Sequence, residues 1–310
     1  LDPQVVCVIQ LKDTGAGIPD GGLFIAEQFS SDADLKDEAL DLLPARGAME
    51  VKSPAEDIHA IAQSAQVTKY LRQYRQVLVT NLRAFTLMGL DQQGQAVALE
   101  SYTLAESEAD FWQLAAHPRA ASQRYDERLT EYLKRVMLHP APLATPEALA
   151  AFLASYAREA LMRVETIQAH GELAPTLKDA LLNIRTALED ALGLTFEGQR
   201  GDRFFRSTLV QTLFYGIFSA WVLWHHEDPA RQDRFDWRTT AWQLRIPMMQ
   251  ALFSEIAQPH RVGAQGLDLE EVLNWAGSAL NRVERAEFLS HFGAGQAIQY
   301  FYEPFLEAFS

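Results

Sequence analysis

Six short apolar runs, each bounded by turn-forming or charged residues, occupy most of the first 105 positions of the chain. Such runs predict β-strands, which we place at residues 5–11, 22–29, 48–52, 76–80, 85–89 and 96–104. The nearly continuous apolar run at 76–80 is expected of a strand buried on both faces. A helical period is clear only at residues 56–74, with five apolar positions roughly along one face: Ile58, Ile61, Ala65, Val67 and Leu71. The pattern predicts an α/β domain over residues 1–105.

The pattern changes after Glu106, where strand signals stop and long helical periods begin. Gly- and Pro-containing breaks separate these periods. One helix is predicted at residues 148–168, preceded by Thr145 as N-cap and by Pro146 at the first helical position. We therefore predict a second, all-α domain over residues 106–310. Its core is predicted to contain aromatic residues, namely Phe204, Phe205, Phe214, Phe218, Trp221, Trp224, Trp237 and Trp242.

The charge balance of the 310 residues is acidic, with 27 Lys and Arg against 41 Asp and Glu and a net charge of −14. Neither predicted domain has the basic surface expected of a domain that binds nucleic acid. Affinity for phosphates would therefore come from local patches, from metal ions or from a further domain. The best local patch is Arg200, Arg203 and Arg206. These are candidate phosphate contacts, and the alternative is the solvated face of a helix start.

Cysteine content and hydropathy limit the class of protein further. The single cysteine, Cys7, excludes an intramolecular disulfide framework and a Cys-rich zinc site. No stretch reaches the roughly 18 uncharged apolar residues of a membrane span, and residues 209–224 are predicted to form a buried helix instead. The first residues lack the basic region and cleavage site of a signal peptide. These features predict a cytoplasmic protein without a membrane partner.

Two charges mark the end of the third predicted strand. Glu50 and Lys52 are two positions apart, and side chains alternate faces along a strand, so both point the same way. A second carboxylate, Asp20, stands just before another apolar strand. A carboxylate and an ammonium on one side of a strand end favour a functional site over a core, although a surface ion pair would use the same two residues.

These residues resemble the motif of the PD-(D/E)XK nucleases. Asp20, Glu50 and Lys52 match the acidic and lysine positions of that motif. Gln66 and Tyr70 are four apart and share a helical face, and they match the Gln-x-x-x-Tyr helix motif of the RecB-like branch. The resemblance implies a restriction-endonuclease-like α/β fold, with a mixed central sheet and a flanking helix, that hydrolyses DNA phosphodiester bonds.

The resemblance also implies a role for each residue. Asp20, Glu50 and the main-chain carbonyl of Val51 would hold Mg²⁺ (or Mn²⁺), since Mg²⁺ prefers oxygen ligands. The metal would activate the attacking water and stabilise the charge that develops on the phosphate. Lys52 would position that water. Gln66, supported by the tyrosine of its motif, would orient the phosphate or the lysine.

A wider resemblance is to the single-chain restriction–modification enzymes of type IIG. It is carried by residues 18–20, 49–52, 64–70 and 78–81, and by the segment 298–309, which resembles the sequence just before the methyltransferase domain. It implies the nuclease and helical spacer of a bacterial, cytoplasmic protein that acts on double-stranded DNA. An N6-adenine methyltransferase domain, which would bind S-adenosylmethionine, and a target-recognition domain would then be its partners in a longer chain. Methyltransferase motifs and Walker-type loops do not occur in the 310 residues.

Several alternatives stay open. Asp13 or Asp41 could replace Asp20 as the metal carboxylate, and the sequence His225-His226-Glu227-Asp228 could be a metal site or simply a polar helix end. The nuclease fold could also be an inactive module that docks or holds DNA, with the helical domain as the binding part. In another alternative only the methyltransferase of the longer chain is active. A RecB-like exonuclease is a further alternative.

Overall fold

The computed structural model describes residues 5–9, 11, 13, 15–29, 42–91, 93–139, 143–169, 175–228, 233–240, 244, 252–253, 269–285, 288 and 294–309. The chain divides into two compact units, Leu1–Ala141 and Pro142–Ser310. We call them unit 1 and unit 2.

Unit 1 is built on a mixed sheet that has six strands within the described residues. The strands are β1 (Val5–Ile9), β2 (Gly21–Ile25), β3 (Ala48–Val51), β4 (Val77–Thr80), β5 (Ala84–Leu90) and β6 (Ala96–Thr103). They lie side by side in chain order, with β3 and β4 parallel and every other pair antiparallel. The predicted mixed sheet is thus confirmed, although β2 ends before residue 29 because a 3₁₀ turn, Ala26–Gln28, follows it.

The connection between the parallel strands contains two helices, α1 (Ile58–Ala62) and α2 (Ala65–Tyr74). The prediction of one continuous helix over residues 56–74 was therefore wrong. The break has a local cause, because the Ser64 hydroxyl accepts a hydrogen bond from the Val67 amide at 3.2 Å and starts a new helix. Ala65, which was predicted on the apolar face, is exposed in the first turn of α2.

Apolar clusters cover both faces of the sheet. On one face, β3 and β4 pack against α1 and α2 through residues that include Ala48, Ile61, Val67, Leu71, Val77 and Val79. On the other face, Leu78 and Leu87 pack with Tyr132 and Val136 of a later helix. The strand at 77–80 is buried at every position, as its sequence predicted.

That later helix explains where the chain divides. Helices α3 (Glu108–Ala116) and α4 (Pro118–Leu138) follow the last strand. Tyr132 and Val136 of α4 complete the second face of the sheet, and Arg135 forms a buried ion pair with Glu100 of β6, with 2.6 Å between Nε and Oε1. Because these contacts hold α4 on the sheet, the division lies at Ala141 rather than at the predicted residue 105.

Every regular element described in unit 2 is a helix, in agreement with the predicted helical region. These helices are α5 (Pro146–Ala169), α6 (Pro175–Leu192), α7 (Gly198–Glu227), α8 (Trp237–Thr240), α9 (Glu270–Leu280) and α10 (Ala294–Phe309). As predicted, Thr145 caps α5 by accepting a hydrogen bond from the Ala148 amide at 3.2 Å. Stacked aromatic rings join α7 to α10 through Phe218 and Phe301.

Most of the aromatic residues predicted for this core are buried. Phe204 is an exception at 53% exposure, because it lies on the outward side of the first turns of α7. Trp242 lies outside the described residues. Among the described helices, α7 is the one whose length and composition would suit a membrane span, but 67% of its most apolar window is buried inside the structure. That burial agrees with the buried helix predicted at residues 209–224.

Candidate functional site

The candidate site lies where the parallel strands β3 and β4 end. Glu50 is in register with Val79, and the amide of Lys52 donates to the carbonyl of Thr80 at 2.8 Å. Paired residues of neighbouring strands point to the same face of a sheet. Glu50 therefore faces the side of α1 and α2, where Val79 packs. Lys52 forms an ion pair with Glu50, so the two charges lie on one side as the sequence predicted.

The β2–β3 pairing brings Asp20 to the same place. Asp20 immediately precedes β2, whose first residue, Gly21, pairs with Met49. The Asp20 carboxylate accepts a hydrogen bond from the amide of Val51 at 2.8 Å. This bond anchors one oxygen of Asp20 beside the end of β3 and places the carboxylate near that of Glu50.

The electrostatics of Glu50 set this carboxylate apart. Glu50 is only 1% exposed, and this burial raises its pKa. The Asp20 carboxylate raises the pKa further, while the hydrogen bond and charge of Lys52 oppose the shift. The same hydrogen bond raises the pKa of Lys52. A raised pKa favours the neutral form of Glu50 but the charged form of Lys52. The two residues differ because the Lys52 side chain is 32% exposed and stays hydrated, whereas Glu50 is buried.

One carboxylate oxygen of Glu50 has no hydrogen-bond partner among the described residues. Lys52 binds Oε1, whereas Oε2 is buried and accepts no hydrogen bond from any described residue. A buried polar atom without a partner costs free energy unless something else satisfies it. The unpaired oxygen and the nearby Asp20 carboxylate form the kind of oxygen donor set that a divalent cation requires.

Helix α2 brings the remaining two predicted residues to the site. The Gln66 amide donates to the Tyr70 hydroxyl at 2.9 Å, and that hydroxyl donates to the carbonyl of Ile18 at 2.7 Å. Tyr70 thus ties α2 to the loop that carries Asp20. Burial raises the pKa of Tyr70, and the negative charge of Glu50 contributes to the shift. The structure therefore assembles all five side chains that the sequence singled out.

The alternative carboxylates have different surroundings. Asp13 is exposed, and its Oδ1 accepts hydrogen bonds from the amides of Gly15 at 2.7 Å and Gly17 at 3.0 Å. These bonds lower the pKa of Asp13 and assign it to shaping a glycine turn. Asp41 lies outside the described residues. For the alternative at residues 225–228, burial lowers the pKa of His225. The described residues, which include these four, contain no group of three or more His, Cys, Asp or Glu arranged to hold a metal.

The three candidate phosphate contacts lie at the start of α7, in unit 2. Arg200 and Arg203 are exposed. Arg206 is partly buried and already engaged, because it donates to Gln168 at 3.1 Å and lies 3.5 Å from the carboxylate of Glu165. Its availability for a phosphate is thereby reduced.

Glu56 is a neighbour of the site that the sequence analysis did not single out. The charge of Glu56 acts on Lys52, and the main-chain carbonyl of Glu56 accepts a hydrogen bond from the fully buried Asn81 at 2.7 Å. Glu56 also accepts from the amide of Ser53 at 3.3 Å. The signal in the sequence was the spacing of Ser53 and Glu56 around Pro54, which is typical of a capped turn.

Comparisons with known proteins add little to this geometry. No family model matches the chain, and no curated protein matches it. Among solved structures, the cryo-EM structure of a DrdV–DNA complex is similar at 17% sequence identity and a TM-score of 0.29. The alignment covers 99% of this chain and 25% of that chain. The chain thus spans about a quarter of the length of this neighbour.

Proposed function

We propose that unit 1 is a metal-dependent DNA endonuclease domain that hydrolyses phosphodiester bonds. The observation that carries the proposal is the meeting of Asp20, Glu50 and Lys52 at one strand end, with one buried oxygen of Glu50 lacking a partner. A carboxylate pair of this kind is unfavourable when both groups are charged, and a divalent cation between them would remove that penalty. Oxygen-only donors suit Mg²⁺ or Mn²⁺.

The chain's own residues would divide the work as follows. Asp20, Glu50 and the main-chain carbonyl of Val51 would hold the cation, whose chemistry is to activate water and to neutralise charge on the phosphate. Lys52 keeps its positive charge because Glu50 raises its pKa, so it would orient the attacking water and offset the phosphate charge. Gln66 would orient the phosphate, and Tyr70 would keep the Asp20 loop in place through Ile18.

The biological setting that fits this domain is restriction–modification or phage defence in the bacterial cytoplasm. Double-stranded DNA would be the substrate, and unit 2 would be the helical spacer toward a methyltransferase domain and a target-recognition domain. Such partners would supply S-adenosylmethionine binding, sequence recognition and the basic surface that a chain of net charge −14 lacks. Arg200 and Arg203, both exposed, would be the phosphate contacts of unit 2.

Plasmid nicking tests the proposal. The purified chain is incubated with supercoiled plasmid in EDTA, Mg²⁺ or Mn²⁺, beside a Glu50→Gln variant and a control, Glu127→Gln, at an exposed position of α4. We expect cation-dependent nicking by the wild type and the control, and none by Glu50→Gln. A folded wild type that binds DNA but never cuts would favour an inactive docking module. Degradation of linear DNA alone would favour an exonuclease.

A further inference from the structure

The turn between β4 and β5 contains a strained and exposed leucine. Leu82 has a φ of 70°, in the left-handed region that Gly, Asn and Asp occupy more readily than leucine. Its side chain is 41% exposed. A single exposed leucine would need no explanation, but here the backbone conformation also disfavours it. The backbone conformation and the exposed two-fifths of the side chain therefore both disfavour leucine at this position.

The side chains of Thr80 and Asn81 fix this turn through hydrogen bonds. The Thr80 hydroxyl accepts from the Leu82 amide and donates to the Ala84 carbonyl, both at 2.8 Å. The Asn81 side chain accepts from the Ala84 amide at 2.8 Å and donates to the Glu56 carbonyl at 2.7 Å.

The residue after Leu82 is fixed as well. The Arg83 guanidinium donates to the carbonyls of Pro54 at 2.9 Å and Glu106 at 2.7 Å. A strained backbone persists where its surroundings over-determine it, and such positions cluster at ligand-binding and active sites.

The turn adjoins the carboxylate site directly. The Thr80 carbonyl accepts from the amide of Lys52 at 2.8 Å, and Leu82 follows Thr80 by two residues, at most about 7 Å of extended chain. Glu56 links the two features, because its charge acts on Lys52 and its carbonyl binds Asn81. Leu82 thus lies in a rigid turn at the same end of β3 and β4 as Glu50 and Lys52.

We propose that Leu82 makes an apolar contact to the sugar and base edges of DNA next to the phosphate at the carboxylate site. The proposal rests on the nuclease function proposed above. Proteins that bind the minor groove of DNA place apolar side chains, leucine among them, against its bases. Such a contact adds affinity without positive charge, which suits an acidic chain. A rigid turn also limits the entropy lost when the contact forms.

The test compares three variants with the wild-type chain. Leu82→Asn suits the backbone and removes the apolar group, whereas Leu82→Met keeps it. Leu90→Asn is the matched control, since Leu90 is 37% exposed at the opposite end of β5. Binding to a fluorescein-labelled duplex of random sequence is measured by anisotropy over a salt series, with Ca²⁺ in place of Mg²⁺. Thermal unfolding is measured in parallel.

We expect Leu82→Asn to bind the duplex about three- to eight-fold more weakly than the wild type. This factor corresponds to the free energy of burying the exposed two-fifths of a leucine side chain. The salt slope should not change, because no phosphate contact is lost. The melting temperature should stay within about 3 °C of the wild type, since relief of the backbone offsets lost packing. Leu82→Met and Leu90→Asn should bind like the wild type.

Each other outcome is decisive. Wild-type affinity in Leu82→Asn, or an equal loss in Leu90→Asn, overturns the role of Leu82 while the nuclease proposal stands. A folded wild type that binds no duplex overturns the role of Leu82, whereas the nuclease proposal is decided separately by cation-dependent plasmid nicking. Should Leu82→Asn fail to fold, Leu82→Gln is compared with Leu82→Met, which differs from it mainly in polarity, and the same loss is expected.

Discussion

Replacing Glu50 by glutamine separates folding from function at the carboxylate site. The substitution keeps the shape of the side chain and an oxygen that can accept a hydrogen bond from Lys52, but it removes the charge. In the wild type, burial and the Asp20 carboxylate both raise the pKa of Glu50. The charged form is therefore a cost to the fold at neutral pH when no cation is bound.

The structure sets the expected size of the effect. The ion pair lost with Lys52 is worth about 0–1 kcal/mol because that lysine is one-third exposed, and removal of the buried charge acts in the opposite direction. In EDTA at pH 7 we therefore expect Glu50→Gln to be as stable as the wild type or more stable. Most substitutions of buried residues have the opposite sign.

The pH dependence follows from the direction of the shift. Because the folded-state pKa of Glu50 is raised above its ordinary 4.5, its contribution to stability is fully present below pH 4.5 and is lost as pH rises through the folded value. In EDTA the stability of the wild type relative to Glu50→Gln should fall across that window. Urea unfolding at a series of pH values measures the difference.

Adding Mg²⁺ should reverse the order of stability. A cation present at 100 times its Kd would stabilise the wild type by about 2.7 kcal/mol, or roughly 5–10 °C in Tm, and should leave Glu50→Gln unchanged. Plasmid nicking should be lost in the same variant. Equal Mg²⁺ stabilisation of both proteins, or nicking by Glu50→Gln, would refute the metal role. A loss of more than about 3 kcal/mol in EDTA would show that Glu50 is a structural ion-pair residue.

Two further predictions concern neighbours of this carboxylate, and a third concerns the buried ion pair between α4 and β6. Lys52→Ala should abolish nicking and lower the free energy of unfolding by about 1–2 kcal/mol, between the limits for exposed and buried pairs; activity without this lysine would exclude its catalytic role. Tyr70→Phe should cost about 1–2 kcal/mol, because the carbonyl of Ile18 loses its donor, and nicking should slow; a Tm and a nicking rate equal to those of the wild type would contradict the anchoring role. Arg135→Met should lower the free energy of unfolding by about 3–5 kcal/mol, because it removes the ion pair of the buried Glu100 carboxylate. Adding Glu100→Leu to this variant should recover most of the loss, and chemical unfolding of both variants measures the difference.

Local patterns were enough for the strands and for part of the site. Six apolar runs predicted six strands, and the two-residue spacing of Glu50 and Lys52 placed both charges on one side of β3. The four-residue spacing of Gln66 and Tyr70 likewise put them in hydrogen-bond contact on α2. These inferences succeed because side-chain direction repeats with the period of a strand or a helix. They need no knowledge of the partners.

Choices between equivalent residues depended on long-range contacts. Asp13 and Asp20 are both carboxylates near glycines, and the pairing of β2 with β3 put Asp20 beside Glu50, while Asp13 bonded its own turn. The break between α1 and α2 had a local cause instead, because the Ser64 hydroxyl accepts a hydrogen bond from a backbone amide three residues on and interrupts an apolar period that looked continuous.

The extent of the first unit and the special character of Glu50 were also decided by tertiary structure. No local signal marks α4 as part of the sheet domain. Tyr132 and Val136 belong to that domain only because they pack on an apolar face of the sheet in the folded chain. The sequence likewise gives Glu50 a charge but not its environment. The burial that raises its pKa and leaves one oxygen unpaired arises from strands and helices that meet only in the folded chain.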